Sequence, residues 1–245
     1  MRSGRILKKE KNVNDTDFDE YGDVYTLTAM KTDTRLFISH HEGDRTTEDA
    51  IDLFIDVERK RSIHSPIPVF TSDNWDSFEE GLLNVYGFLE TPAYQGIGRK
   101  PLPLLLPYPH LKYAQVCKRK EKGRVTEVVQ RVVFGEPDDV LRLLGADSGG
   151  KINTAYIERF NLTIRNSLAR FIRKSMNCSK NRLMHSKAID FFQAWYNFVK
   201  PHQSLRLEIN LGRKRWMQRT PAMAEGITDH MWSLKELLTF RVPIQ

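Results

Sequence analysis

The order of elements read along the chain is hairpin, helix, strand, helix, irregular region, strands, then long helices. That order predicts an α/β sandwich with a mixed sheet. Three observations carry the prediction. β-branched and aromatic residues cluster in Val24 to Met30 and again in Arg35 to His41, the composition of paired strands. Ala50, Leu53, Phe54 and Val57 recur at helical spacing. A short apolar run, Ile67 to Phe70, ends in the polar stretch Thr71-Ser72-Asp73, as a buried strand does when it meets a loop.

The elements follow in order. Residues 8–23 are polar, with Asp15, Asp17, Asp19, Glu20 and Asp23 close together, and read as loop. The turn-like Lys31-Thr32-Asp33-Thr34 joins the first two strands into a hairpin. Thr46 or Thr47 caps the first helix, with Glu48 and Asp49 in its first turn. Ser77 to Tyr86 reads as helix, closed by Gly87. Five prolines between residues 88 and 110 predict an irregular insertion. Strand-like runs follow at Tyr113 to Cys117 and Val125 to Phe134, then a short helix at Asp138 to Leu144 and a break at Asp147-Ser148-Gly149-Gly150. Ile157, Phe160, Ile164, Leu168, Phe171 and Ile172 predict one long helix. A second covers roughly Asn181 to Val199, with Leu183, Ala188, Phe191, Phe192 and Trp195 as its apolar set, and stops at Pro201. A short helix near Ser233 to Leu238 ends the chain.

Composition narrows the function. At 245 residues, with 40% hydrophobic and 28% charged residues, the chain is long enough for a substantial core and is not a disordered tail. No apolar run approaches the 18 residues of a membrane span. The first 13 residues are basic but lack the apolar core of a signal peptide. Two cysteines, Cys117 and Cys178, exclude a disulfide framework and a four-cysteine zinc site, and fit a reducing cytoplasm. The net charge of +7 is unevenly distributed. Arg159 to Arg219 holds 14 Lys/Arg against 2 Asp/Glu, a net of +12, which leaves the rest of the chain at −5. Such a segment suits a polyanion, nucleic acid above all, although a solvated basic surface gives the same count.

Two carboxylates stand out. Asp73 falls where a strand ends and a loop begins, the place where α/β sheets bind ligands. Taken alone, it fits a cap of the following helix better than a metal ligand. Glu158 lies on the predicted long helix with Asn161 and Arg165 on one face. Periodicity does not separate a metal ligand beside a phosphate binder from a plain surface pair. His40, His41 and His64 match no metal-site spacing. His202 fits a DNA contact and a structural brace equally. Trp75 and Trp195 read as packing residues, and Cys117 as a small buried hydrophobe.

These residues carry a resemblance. Thr71-Ser72-Asp73-Asn74-Trp75 after a strand, and Tyr156-Ile157-Glu158-Arg159-Phe160-Asn161-Leu162-Thr163-Ile164-Arg165 on a helix, resemble the second Asp and the Glu of DDE-type transposases. The run Ala194-Trp195-Tyr196-Asn197-Phe198-Val199-Lys200-Pro201-His202-Gln203-Ser204-Leu205 resembles the Tyr-Asn and basic-Pro-His segment of insertion-sequence transposases, and Thr220-Pro221-Ala222-Met223-Ala224 resembles their ending. The group most similar is the insertion-sequence-one group. The resemblance implies a ribonuclease-H-like fold, a mixed sheet flanked by helices. It implies a catalytic domain over 24–210 with an insertion around 88–150, a polar segment 1–23 before it, and a tail over 211–245. It also implies two Mg²⁺ (or Mn²⁺) ions held by three carboxylates, with Asp73 and Glu158 as the second and third. DNA, as element ends and as target, is the implied partner, touched by Arg159, Arg165 and His202. Self-association on paired ends and a nucleoid-associated place in the cytoplasm are implied as well.

One departure matters. In that fold three strands precede the first helix and the first catalytic Asp lies on the first of them. Only two strands are read here before Thr47, because Arg2-Ser3-Gly4-Arg5 does not resemble a buried strand. The expectation is an N-terminally truncated transposase that lacks the first strand and its Asp. No zinc-binding or helix-turn-helix module is read either. Impaired strand transfer follows. The alternatives are a DNA-binding remnant without catalysis, and a nuclease of the same fold that cuts without joining.

Overall fold

The structure is a computed structural model. It describes residues 2–18, 21–94, 96, 98–121, 124–146, 152, 155–172, 176–211 and 214–241, so the break expected at 147–150 lies outside the described residues. The chain is a mixed α/β protein that divides into two compact units, Met1–Asp44 with Arg159–Gln245, and Arg45–Glu158. No described helix is long and apolar enough to cross a membrane.

The first unit opens with three strands, β1 (Arg2–Ile6), β2 (Gly22–Met30) and β3 (Phe37–Gly43), in the antiparallel order β1-β2-β3. The expectation of two strands before the first helix, with the first strand missing, is therefore corrected. Arg-Ser-Gly-Arg-Ile has little strand propensity of its own, and its pairing partners impose the conformation. Ile6 is fully buried, β1 pairs with β2 from Arg2↔Tyr25 to Ile6↔Gly22, and Ile6 also bridges Ser179. The Leu7 amide donates to the Ser179 carbonyl at 2.9 Å. Residues 2–6 contain no carboxylate.

In the second unit, α1 (Thr47–Lys60) starts at a complete capping box, with Thr46 accepting from the Asp49 amide and Asp49 accepting from the Thr46 amide. Its buried residues are Ala50, Leu53, Phe54 and Val57, the stripe that the spacing predicts. Thr46→Ala should cost about 1 kcal/mol, read as a lower thermal midpoint; an unchanged midpoint would show that the cap contributes nothing. After β4 (Val69–Asp73), α2 (Asp76–Val85) packs on α1. Gly81 permits the close approach, since a Cβ there would lie 3.1 Å from the Ala50 Cβ and the Phe54 ring.

Gly87 does not close α2 but opens β5 (Gly87–Glu90), which pairs with β6 (Leu104–Pro107). The proline-rich region expected to be irregular thus contains a hairpin, with Pro101 and Pro103 in its connection. Next come β7 (Lys112–Glu121), β8 (Arg124–Phe134) and α3 (Pro137–Leu143). β4 pairs parallel to β7, and β7 antiparallel to β8, which gives the mixed sheet that the sequence predicts. Phe54, Leu82, Tyr86, Leu111 and Tyr113 form one core cluster of this unit.

The unit boundary falls within α4 (Ala155–Ser167). The single long helix expected through Ile172 is shorter. Leu168 adopts extended backbone, and only a 3-10 turn, Ala169–Phe171, follows. α5 (Arg182–Phe198) matches its expected span, capped by the Asn181 side chain. Its buried face differs, however. His185, Ile189, Phe192, Tyr196 and Asn197 point inward, while Leu183 and Phe191 are exposed. Aromatic packing closes this core: Phe160 lies edge-on to Phe37 at 4.7 Å and to Tyr196 at 5.0 Å. The basic stretch is not wholly helical, because β9 (Leu207–Leu211) and β10 (Lys214–Met217) form a hairpin within it. Two short helices, α6 (Pro221–Glu225) and α7 (Leu234–Thr239), end the described chain.

Candidate functional site

Asp73 is the last residue of β4, paired in register with Val116 of β7. It does not cap α2. Trp75 is the N-cap residue and no side chain caps that helix. The chain turns sharply there, with the Trp75 amide donating to the Asp73 carbonyl at 3.0 Å. The Asp73 carboxylate is exposed and makes no hydrogen bond or ion pair with a described residue. Beneath it, the buried Tyr113 hydroxyl shares a 2.6 Å hydrogen bond with Ser72 and accepts from the Gln115 amide at 3.1 Å. Burial raises the Tyr113 phenol above its ordinary value, so this brace remains neutral.

Asp73 and Glu158 converge. Both line one open cleft of about 610 Å³, together with Asn74, Val116, Cys117, Lys118, Arg119, Val129 and Arg131. Glu158 sits in the first turn of α4 and forms an ion pair with Lys118 of β7. The other cations of the cleft are also paired, Arg119 with Glu127 at 2.9 Å and Arg131 with Glu79 at 3.5 Å. The wall therefore carries both acids and bases, and Asp73 is its carboxylate without a close partner among the described residues. Among the described residues, no group of three or more His, Cys, Asp or Glu is arranged to hold a metal ion.

The sequence reading missed Lys118, Arg119 and Arg131. The signal was available in part, since Lys118 and Arg119 sit in the basic run between two predicted strands. Nothing in a local window ties that run to Glu158, 40 residues away. Cys117 is corrected from buried hydrophobe to half-exposed cleft wall. Trp75 packs as expected, edge-on to Phe78 at 4.7 Å, with the Arg45 guanidinium 5.1 Å from its ring.

The other candidates belong to the first unit. Arg159 is exposed on α4, and Arg165 is half-buried on the same helix. His202 follows α5. Its amide donates to the Arg219 carbonyl at 2.9 Å, and its Nδ1 lies 2.9 Å from the Ser204 hydroxyl. Burial first, then Arg35, Lys200 and Arg159, hold its pKa below the ordinary histidine value. These bonds fix the position of His202 in the chain after α5. The neighbouring Asn197 is also structural: its side chain accepts from the Phe37 amide and donates to the Phe37 carbonyl, both at 2.9 Å. His40 hydrogen-bonds Glu42 at 2.9 Å and approaches Asp190 at 3.3 Å.

The molecule is thus a mixed α/β protein whose cleft joins a strand-end aspartate to a helical glutamate. Residues 145–199, less than a quarter of the chain, match the family model of IS1 transposases. That segment contains α4 and α5, with Glu158, Arg159, Arg165 and the Tyr196-Asn197 pair. The match bears out the resemblance to the insertion-sequence-one group and supports a transposase role. Neither curated proteins nor solved structures gave a match.

Proposed function

We propose that the chain is a DDE-type transposase polypeptide acting on DNA, built on a ribonuclease-H-like catalytic domain, with Asp73 and Glu158 as two of its site carboxylates. The observation that carries this reading is the convergence of Asp73 and Glu158 on one cleft. They come from a strand end and a helix 85 positions apart in the sequence, and α4 belongs to the segment that matches the IS1 family. The order along the chain of three antiparallel strands, helix, strand and helix, with β7 following the β5–β6 hairpin and pairing parallel to β4, supports this reading, while β1-β2-β3 and β4-β7-β8 pair as separate sheets among the described residues.

The donor set does not fit two divalent ions. A pair of such ions needs several carboxylate oxygens, and this cleft offers Asp73 and a Glu158 already neutralised by Lys118. What its residues suit is a phosphodiester. Lys118, Arg119 and Arg131 provide cations along the wall, and a phosphate would compete for them with Glu158, Glu127 and Glu79, their partners in the free protein. Strand transfer by this chain is accordingly impaired, and element ends and target DNA are its substrates by class. The second reading, a DNA-binding polypeptide without catalysis, is favoured by the Lys118–Glu158 pair.

The experiment is a joining assay on labelled duplex ends with Mg²⁺ or Mn²⁺. The expected yield is low or nil, and any product should vanish in Asp73→Asn and Glu158→Gln. Product that survives both substitutions would place the chemistry elsewhere and overturn the site. Efficient joining would overturn the impairment. A chain that binds no DNA at any salt concentration would overturn the function itself.

A further inference from the structure

The β9–β10 hairpin is out of proportion to its support. Leu207, Glu208, Arg215, Trp216 and Met217 are all exposed, and the hairpin's extensive contacts are between its own two strands. A two-stranded ribbon whose described side chains are mostly exposed is marginal by itself. From Arg206 to Arg219 the chain carries five Lys/Arg against one Glu. Two of those arginines share one indole. The Arg206 guanidinium lies 4.2 Å from the Trp216 ring centroid and the Arg215 guanidinium 5.4 Å from it. Arg215 is also held by Glu208 at 3.0 Å, whereas the Arg206 guanidinium makes no hydrogen bond or ion pair with a described residue. A guanidinium stacked on a ring is fixed in direction while its N–H edge stays available for bidentate contact with phosphate.

We propose that the β9–β10 ribbon is a duplex-DNA contact arm, with Arg206 and Arg215 as phosphate ligands oriented by Trp216. A two-stranded ribbon fits the major groove of B-DNA, and its positive charge complements the backbone. The proposal deepens the reading of the chain as a DNA-acting protein and rests on it. It locates a contact in the ribbon, apart from Arg159, Arg165 and His202 and apart from the cleft. The exposed Trp216 and Met217 would meet base edges or sugars once the arginines have set the register.

The test is fluorescence anisotropy of a labelled duplex with the full chain, in EDTA, across a salt series. The parent should bind with a steep salt dependence. Arg206→Ala with Arg215→Ala should weaken binding by about ten-fold or more and reduce the slope of log K against log[salt] by about two, one for each lost phosphate contact. Trp216→Ala should weaken binding several-fold with a smaller change in slope. Lys235→Ala removes an exposed cation from α7 and should leave binding unchanged. Far-UV circular dichroism checks that each variant is folded, and Arg206→Lys, the mildest change, should lie between parent and alanine. If the parent binds and the ribbon variants match it in affinity and slope, the arm is refuted while the DNA-acting function stands. If the parent fails to bind, both fall. If the variants instead dissociate a dimer on a sizing column and leave DNA affinity intact, the ribbon is a self-association surface and the proposal is overturned.

Discussion

Asn197→Ala is expected to lower the stability of the fold by about 3 kcal/mol, the cost of a buried backbone amide left without a partner plus a small cavity. β3 is an edge strand of the β1-β2-β3 sheet, and the backbone groups on its open side need partners. Asn197 supplies two of them, accepting from the Phe37 amide and donating to its carbonyl. Gln193, one turn earlier on α5, donates to the Phe37 and Ile38 carbonyls at 2.9 Å each. The Phe37 carbonyl therefore keeps a donor when Asn197 is removed, and the Phe37 amide loses its acceptor. Gln193→Ala, which leaves that amide satisfied, should cost about 1 kcal/mol. Urea unfolding of both variants checks the order. An Asn197→Ala protein as stable as the parent would show that the side chain does not hold this edge. Much of the Tyr-Asn motif thus has a structural explanation. Tyr196 is buried against Phe160 and Phe192, with its phenol pushed up to about 12 by burial, and Asn197 fastens the sheet.

Acid should destabilise the same unit through His185 by a similar amount. The side chain is fully buried, stacks on Phe171 at 4.3 Å, and its Nδ1 lies 2.6 Å from the Ser179 hydroxyl. Burial lowers its pKa to about 4, assisted by Arg170 and Arg182 and opposed by Glu42. The unfolded chain titrates near the ordinary histidine value. The folded pKa is the lower one, so the unfolded state binds the proton more readily. The contribution is present above the unfolded pKa of about 6.5, and is lost progressively as pH falls towards 4, about 3 kcal/mol in all. His185→Gln removes that titration. The stability gap between parent and variant should therefore narrow by about 3 kcal/mol between pH 7.5 and pH 4, measured by denaturant unfolding at each pH. A gap that stays constant across that range would mean that His185 is not the titrating group. Because Ser179 also anchors β1 through Leu7 and Ile6, the first strand should loosen early in acid.

How far the sequence reached depended on the distance over which each feature is encoded. The α1 stripe, the span of α5 from about Asn181 and the strand end at Asp73 were all legible, because each is written within a few residues. The inward face of α5 was misread, because Leu183 and Phe191 satisfy an apolar pattern as well as the residues that are buried. His185 would not be assigned to a core by hydrophobicity, and its burial depends on the Ser179 hydroxyl and the Phe171 ring. Within the cleft, the two carboxylates were found by type and position, whereas the cations that face them were not.

By itself, the sequence determined an α/β chain, the places of most of its helices, the concentration of positive charge between Arg159 and Arg219, and Asp73 and Glu158 as the candidate acids. Tertiary structure alone decided the rest. It made a strand of Arg2–Ile6, brought Lys118 to Glu158 across 40 positions, and fastened Phe37 to Asn197 across 160. The physical reason is common to all three. Periodicity and capping are interactions between neighbours along the chain, whereas edge pairing, buried hydrogen bonds and ion pairs join residues whose proximity exists only once the chain has folded.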